Sequence, residues 1–248
     1  MDNNFNLYSK YYDLLYRTKD YNAEANYISE SIKRYCPNAK TILEFGSGTG
    51  GHGLIFQNMG YDIYGLERSE TMVEEAKQRG FGCSQADITN FQLDRQFDVV
   101  ISLFHVISYI TDNESLVKVF RNAATHLFSG GLFIFDVWYS PAVYHQKPET
   151  RIKKVENEEI SVIRMAEPEI HADKNVVDVN YYILVKDKIT DKWIEFHEKH
   201  PMRHFSIPEI SLLATLTGFK LLKAEEFVTG NQPSENTWGV NFILKKNG

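Results

Sequence analysis

The run Thr41-Ile-Leu-Glu-Phe-Gly-Ser-Gly-Thr-Gly-Gly51 decides the reading of this chain. A short apolar strand over residues 41–45 stops in a loop that holds Gly46, Gly48, Gly50 and Gly51, and an amphipathic stretch follows at once. Glycine lets the backbone turn sharply and approach a ligand with no Cβ in the way. The helix start behind the loop offers free N–H groups. Strand, glycine turn and helix start together form a cradle for a nucleotide-type cofactor.

The rest of the chain bounds what that cradle can serve. Its 248 residues allow one large domain with a substantial insertion. The 43% hydrophobic and 24% charged residues are those of an ordinary folded core. A net charge of −6 argues against a general nucleic-acid binder, whose footprint is basic. Cys36 and Cys83 have no metal spacing and are expected to be idle thiols. Residues 1–10 are polar and carry no signal-peptide core, and no run has the length of a membrane span, so the cytoplasm is the expected location.

Strands and helices alternate through the first half. Tyr21, Ala25, Ile28, Ile32 and Tyr35 share one helical face. Strands are expected at 41–45, 61–67, 81–86, 97–103 and 132–138, with helices at 52–59 and 70–79 between them. Thr111 and Glu114 read as a capping box for a further helix, which Gly130 and Gly131 end. Such alternation implies right-handed crossovers and a mostly parallel sheet, with ligands at the carboxyl ends of its strands. After Trp138 the grammar changes. Segments 151–157, 160–169, 175–186 and 192–204 alternate polar with apolar residues between short polar turns, as an antiparallel meander does. A helix from Ser206 and two strands, 219–227 and 238–245, close the chain. The expected fold is α/β: a Rossmann-like, mostly parallel seven-stranded sheet built from residues 1–138 and 205–248, with residues 139–204 as an antiparallel β insertion, a lid or a dimer face. A long strand edge in the meander invites pairing, so a homodimer is the expectation.

Gly46-x-Gly48-x-x-Gly51 fits the dinucleotide fingerprint, and Glu67 lies 21 positions after Gly46, where a ribose-binding acid belongs. Three features point away from NAD. Glu44 stands two residues before the first glycine, where a carboxylate repels a pyrophosphate but suits an ammonium or sulfonium. Asp87 ends the third strand, placed for the exocyclic amine of an adenine. Residues 97–103 run into the site as the fourth strand. With these four motifs in order, the chain resembles the class I S-adenosylmethionine-dependent methyltransferases over about residues 11–138. The resemblance implies S-adenosylmethionine as cofactor, held by Tyr12, Glu44, Gly46, Ser47, Gly48, Glu67, Arg68, Asp87, Ile88 and Leu103. Glu67 would bind both ribose hydroxyls, Asp87 and Ile88 the adenine, and Gly46 and Gly48 the methionine moiety, with Glu44 organising the loop.

A narrower likeness concerns the acceptor. Tyr12-Asp-Leu-Leu-Tyr16 followed by Lys19-Asp-Tyr-Asn-Ala-Glu24 is similar to the start of the nucleotide-sugar amino N-methyltransferases of the desosamine and mycaminose type. That likeness implies a small-molecule acceptor, a nucleotide-linked or glycan sugar, methylated on an amine or a hydroxyl. A neutral amine needs orientation and loss of its proton, whereas a hydroxyl needs a base or a metal. His105, just past the fourth strand, is the candidate base, and Tyr12 is the other catalytic candidate. Each also reads as a packing residue. Tyr109, Trp138, His200 and Arg203 are the substrate candidates: Trp138 could stack on a ring, and Arg203 could take a diphosphate. Strict alternation in 195–204 puts His197, Lys199 and Arg203 on one face and His200 with His204 on the other. These histidines make no closed metal set, and no metal is expected. Two other functions stay open: an O-methyltransferase of another small metabolite with His105 as base, and a non-catalytic scaffold that keeps the cofactor as a structural ligand.

Overall fold

The computed structural model describes Leu14, Leu15 and residues 19–248. Tyr12, a cofactor and catalytic candidate, lies outside the described residues. The chain divides into a larger unit, residues 21–146 with 203–248, and a smaller one, which ends at Asp20 and resumes over 147–202. Among the described residues no helix is long and apolar enough to cross a membrane.

The larger unit opens with α1 (Tyr21–Tyr35), then β1 (Thr41–Phe45), α2 (Gly51–Asn58), β2 (Asp62–Glu67), α3 (Glu70–Gln78), β3 (Cys83–Gln85) and β4 (Phe97–Ser102). A 3₁₀ turn over Val106–Tyr109 leads to α4 (Asn113–Thr125), β5 (Leu127–Tyr139) and α5 (Ser140–Gln146). After the smaller unit come α6 (Ile207–Leu216), β10 (Phe219–Glu226) and β11 (Gly239–Lys246). The strand order is β3-β2-β1-β4-β5-β11-β10. The first five strands are parallel, and β11 and β10 are antiparallel. This is the expected methyltransferase-type sheet.

Alternation within the central strands explains why helices cover both faces. Leu43, Phe45, Val100, Phe133 and Phe135 face one core, with Leu116, Val119, Phe120 and Ala123 of α4 and Ile210, Leu213 and Ala214 of α6. Ile42, Val99, Ile101, Leu132 and Ile134 face the other, with Ala25, Ile28 and Ile32 of α1, Phe56 of α2 and Val73 and Ala76 of α3. A two-residue side-chain period in strands sends neighbours to opposite faces, and a parallel sheet buries both. Phe120 packs edge-on against Phe133 and Phe135, so Phe120→Ala would remove about 3–5 kcal/mol. At the foot of the sheet, Asp98 Oδ2 of β4 accepts the amides of Lys40 and Thr41 and the Thr41 hydroxyl, at 2.8–2.9 Å. That latch fixes β1, and with it the glycine loop at its far end.

Several local expectations are corrected. Asp112, not Thr111, caps α4: its Oδ1 accepts the Ser115 amide at 2.8 Å from an extended backbone. Gly130 and Gly131 do not end that helix. They lie within β5, where the β4–β5 register jumps from Phe97↔Leu127 to Val99↔Leu132 and the extra residues bulge out. The third strand shortens to Cys83–Gln85. The helix α5 has no counterpart in the sequence reading, being a single short stretch with Pro141 as its second residue.

In the smaller unit, β6 (Arg151–Glu156), β7 (Ile160–His171) and β8 (Val176–Asp187) form an antiparallel meander, with β9 (Trp193–Phe205) neighbouring β8. Turn chemistry sets the register: Asn157 Oδ1 accepts the amides of Glu159 and Ile160, and Asp187 Oδ1 those of Ile189 and Thr190. Ile160, Val162, Ile183 and Val185 bury one face with Leu14 and Leu15. Along β9, His197 and Lys199 are exposed and His200 half-buried, as alternation requires. The alternation stops at Met202, and Met202, Arg203, His204 and Phe205 are all buried. The last two pair in parallel with Trp138 and Tyr139 of β5 within the larger unit.

Candidate functional site

The glycine loop turns because three of its glycines take positive φ: Gly46 at 68°, Gly48 at 54° and Gly50 at 81°. The amides of Gly46 and Ser47 both bond Leu66 O, at 2.8 and 3.1 Å, which folds the loop back over β2. The Gly48 amide donates to Glu67 Oε2 at 2.9 Å, and the Ser69 amide donates to Glu67 Oε1 at 2.9 Å. Glu67 thus braces the loop from the tip of β2. Each of its oxygens keeps capacity for a further donor, such as a ribose hydroxyl. A Cβ on Gly46 would sit 2.6 Å from both γ carbons of Val106, whereas one on Gly48 would meet nothing within 4 Å. The loop is therefore closed against the segment after β4 and open at Gly48.

Glu44 is the last residue but one of β1 and is 2% exposed. Its Oε2 is buried and without a hydrogen-bond partner among the described residues. Burial first, and then the neighbouring Glu67 carboxylate, push its pKa up to about 8. His52 of α2 stands beside it, with Nδ1 3.9 Å from Glu44 Oε1 and Nε2 2.6 Å from Glu24 Oε2 of α1. An orphaned buried acid beside the glycine loop fits a cationic ligand, which stabilises its charged form. Ser47 Oγ is also buried without a partner among the described residues, and it lies over Gly65 of β2.

Farther along the strand ends, Asp87 is exposed. The Thr89 hydroxyl and amide both donate to its Oδ1 and hold the carboxyl below its usual range. Ile88 is buried, and its carbonyl accepts Asn122 Nδ2 at 2.9 Å. Leu103 is buried just past the end of β4, while Arg68 is exposed. The carboxyl edge of the sheet therefore gathers Glu44, Glu67 and Asp87 around the loop.

The segment after β4 is bent by two consecutive non-glycine residues with positive φ, Phe104 at 65° and His105 at 60°. Asp136 of β5, fully buried, holds the bend. Its Oδ2 accepts the His105 amide at 3.2 Å and lies 2.7 Å from His105 Nδ1. Val106, the next residue, is the one against Gly46. His105 is thereby set beside the cradle. Trp138 lies near it, with ring centroids 6.4 Å from His105 and 5.7 Å from Trp238, whose Nε1 donates to Gln146 Oε1 at 2.7 Å. Tyr109 follows on the 3₁₀ turn with 43% of its surface exposed. Behind Asp136, its cross-strand partner Asn241 donates to Tyr27 Oη, and Tyr27 donates to Glu225 Oε1. Burial and that carboxylate raise the Tyr27 phenol far above its ordinary range.

Two substrate candidates stand elsewhere. Arg203 is 8% exposed; its Nη2 donates to Glu209 Oε1 at 2.6 Å and its Nη1 to Thr111 O at 3.2 Å. This placement runs against the expected diphosphate contact, because the guanidinium already serves a buried ion pair. His200 belongs to the smaller unit, where its Nε2 lies 3.0 Å from Glu198 Oε2 and its ring meets Tyr181 edge-on. In the same unit Glu169, His171 and Asp178 cluster closely, but the Lys199 ammonium sits 2.7 Å from Asp178 and supplies the positive charge there.

Comparison with known proteins agrees with this geometry. Residues 42–131 match the family model described as a methyltransferase domain. The chain is 35% identical over 137 residues to a dTDP-3-amino-3,4,6-trideoxy-alpha-D-glucopyranose N,N-dimethyltransferase of Streptomyces venezuelae, covering 54% of this chain and 58% of that protein. It is 32% identical over 134 residues to a dTDP-4-amino-2,3,4,6-tetradeoxy-D-glucose N,N-dimethyltransferase of Saccharopolyspora spinosa, covering 52% of this chain and 54% of that protein. The match thus spans a little over half the length of these curated relatives. Among solved structures, the sugar N-methyltransferase KedS8 from Streptoalloteichus sp ATCC 53650 superposes with a TM-score of 0.82 at 26% identity, over 96% of this chain and 93% of that one. The strand order, the glycine loop and the row of acids agree with the match of residues 42–131 to a methyltransferase domain and with S-adenosylmethionine as its cofactor.

Proposed function

We propose that this chain methylates an amine on a nucleotide-linked sugar. When bound, S-adenosylmethionine supplies a methyl group already activated by a sulfonium. The chain's own residues then have three tasks. The Gly46–Gly48 turn, Glu44, Glu67 and Asp87 would hold the cofactor. His105 would take the proton that the acceptor ammonium must lose before its lone pair is available. Asp136 places a carboxylate oxygen 2.7 Å from Nδ1, where its charge would stabilise the imidazolium that forms on proton uptake. Trp138 and Trp238 offer apolar ring faces for a sugar or base. Holding donor and acceptor in line can supply roughly 7–11 kcal/mol, so positioning is the larger part of the work.

The single observation that carries this reading is the His105–Asp136 pair fixed against the cradle through Val106 and Gly46. The sugar amine is supported by the two curated relatives, which are N,N-dimethyltransferases of dTDP-amino sugars. The test is mass spectrometry of the purified protein with S-adenosylmethionine and paired acceptors: a dTDP-amino sugar, and the same nucleotide sugar with a hydroxyl at that carbon. Methyl addition to the amine alone is expected, with a large loss in His105→Asn. Methylation of the hydroxyl partner instead would select O-methyl transfer, for which the same pair could act as base. Turnover of neither acceptor, or an unchanged rate in His105→Asn, would overturn the proposal.

A further inference from the structure

Glu24 and His52 stand beside Glu44 at the cofactor cradle, and the reading above gives them no task. Glu24 closes the Lys19–Glu24 segment, and His52 lies in the first turn of α2. The structure joins them across 28 positions at 2.6 Å, with His52 buried at 7% side-chain exposure and Glu24 at 16%. The Tyr21 ring seals the pair edge-on, 4.9 Å from the imidazole. On the other side of the ring stands Glu44, with one oxygen 3.9 Å from Nδ1 and the other orphaned. The groups around Glu44 can be taken element by element. Glu67 approaches from β2, His52 from α2, and Glu24 from α1 behind it; Cys83 of β3 feels its charge, and its neighbour on β4 is the apolar Ile101.

We infer that Glu44, beside Glu67 and the Glu24–His52 pair, rests as a neutral acid in the cofactor-free protein and releases one proton when the cationic cofactor enters, with Glu24 and His52 as positioning residues. The inference rests on the reading of the cradle as the S-adenosylmethionine site. Burial of Glu44 and the negative charge of Glu67 both disfavour its ionised form, and a sulfonium or ammonium reverses that balance. The raised pKa of Glu44, about 8, agrees with a protonated resting state at neutral pH. The step is simple in its balance: the O–H bond of the Glu44 carboxylic acid breaks, the carboxylate stays beside the cation, and the proton passes to bulk buffer. His52, held by Glu24, stands 3.9 Å from Glu44 Oε1 and leaves Oε2 as the oxygen without a partner among the described residues.

The test is isothermal titration of the whole chain with S-adenosylmethionine and with S-adenosylhomocysteine, in buffers of different ionisation enthalpy, so that protons are counted without turnover. S-adenosylmethionine should bind wild type with net proton release at neutral pH, and its Kd should fall by up to about tenfold per pH unit as pH rises toward 8. Glu44→Gln should bind with no proton release from this group and a flat pH profile. Glu24→Gln and the stricter His52→Asn should keep S-adenosylmethionine binding but change the proton count. If wild type binds with no proton release and a flat profile, the inference fails and the cofactor reading stands. If proton release is the same in Glu24→Gln and His52→Asn as in wild type, their positioning role fails. If neither ligand binds wild type, the cofactor reading itself fails, and the inference with it.

Discussion

Gly48→Ala separates the fold of the cradle from its use. At φ 54° an alanine sits in the left-handed region, which costs about 1–2 kcal/mol. Nothing lies within 4 Å of the added Cβ, so no steric term is added in the free protein. The amide that donates to Glu67 Oε2 is unchanged. Against a typical domain stability of about 5–15 kcal/mol, the variant stays folded. With the cofactor in the proposed cradle, that Cβ would project toward it. Overpacking there costs about 1–3 kcal/mol, which is roughly a 5- to 150-fold weaker Kd. Gly46→Ala is the control with the opposite signature. Its Cβ would lie 2.6 Å from both Val106 γ carbons at a φ of 68°, so strain and overpacking add to about 2–5 kcal/mol of lost stability. Urea unfolding and calorimetric titration with S-adenosylmethionine measure both quantities on the same samples. Gly48→Ala should lose affinity with little stability, and Gly46→Ala should lose stability first. Wild-type affinity in Gly48→Ala would place the cofactor elsewhere and refute the reasoning.

Three further outcomes can be checked. Asp136→Asn keeps the shape but removes the charge 2.7 Å from His105 Nδ1, so kcat should fall by about 100-fold with KM for the acceptor little changed; a kcat within twofold of wild type would deny Asp136 a role. His204 is fully buried with Nδ1 2.9 Å from Ser140 Oγ, and burial, then Arg203, bring its pKa from the ordinary 6.5 down to about 4. The unfolded chain therefore binds the extra proton between those values, and His204's contribution is intact above pH 6.5 and lost as pH falls toward 4. His204→Gln should flatten that part of the pH–stability curve, measured by urea midpoints. Glu209→Gln removes the charge paired with Arg203, which keeps its bond to Thr111 O, and should cost about 1–2 kcal/mol in the same assay while cofactor affinity holds.

The strand–glycine–helix run was legible because its information is local. A turn that demands positive φ must be written in glycines, and Gly46, Gly48 and Gly50 stand where it does. Helical and alternating periods likewise exposed the strand order's ingredients, because Ile42 and Leu43 must face opposite cores. What stayed hidden are pairings across the chain. Glu24 meets His52, and His105 meets Asp136, through the fold alone; no period or spacing links residues about thirty positions apart. Asp136 read as a strand end and His52 as part of an ordinary helix. The position of Arg203 was misjudged for a related reason. Alternation holds along a free strand, but β9 enters the packed larger unit at its end, and there both faces are covered. The short α5 escaped because seven residues with a proline at the second carry too little period to register.

The bend at Phe104 and His105 has a consequence for how such a site can change. Two side-chain-bearing residues in sequence are held where only glycine rests at ease, and one buried carboxylate catches the amide that would otherwise spring back. The imidazole is thus carried on a wound hinge, not on a relaxed one. A glycine at position 104 would unwind part of it and let the ring swing, widening the range of acceptors at the expense of aim. Selection for a broader or narrower diet could act on that one backbone angle and leave every group that touches the cofactor untouched.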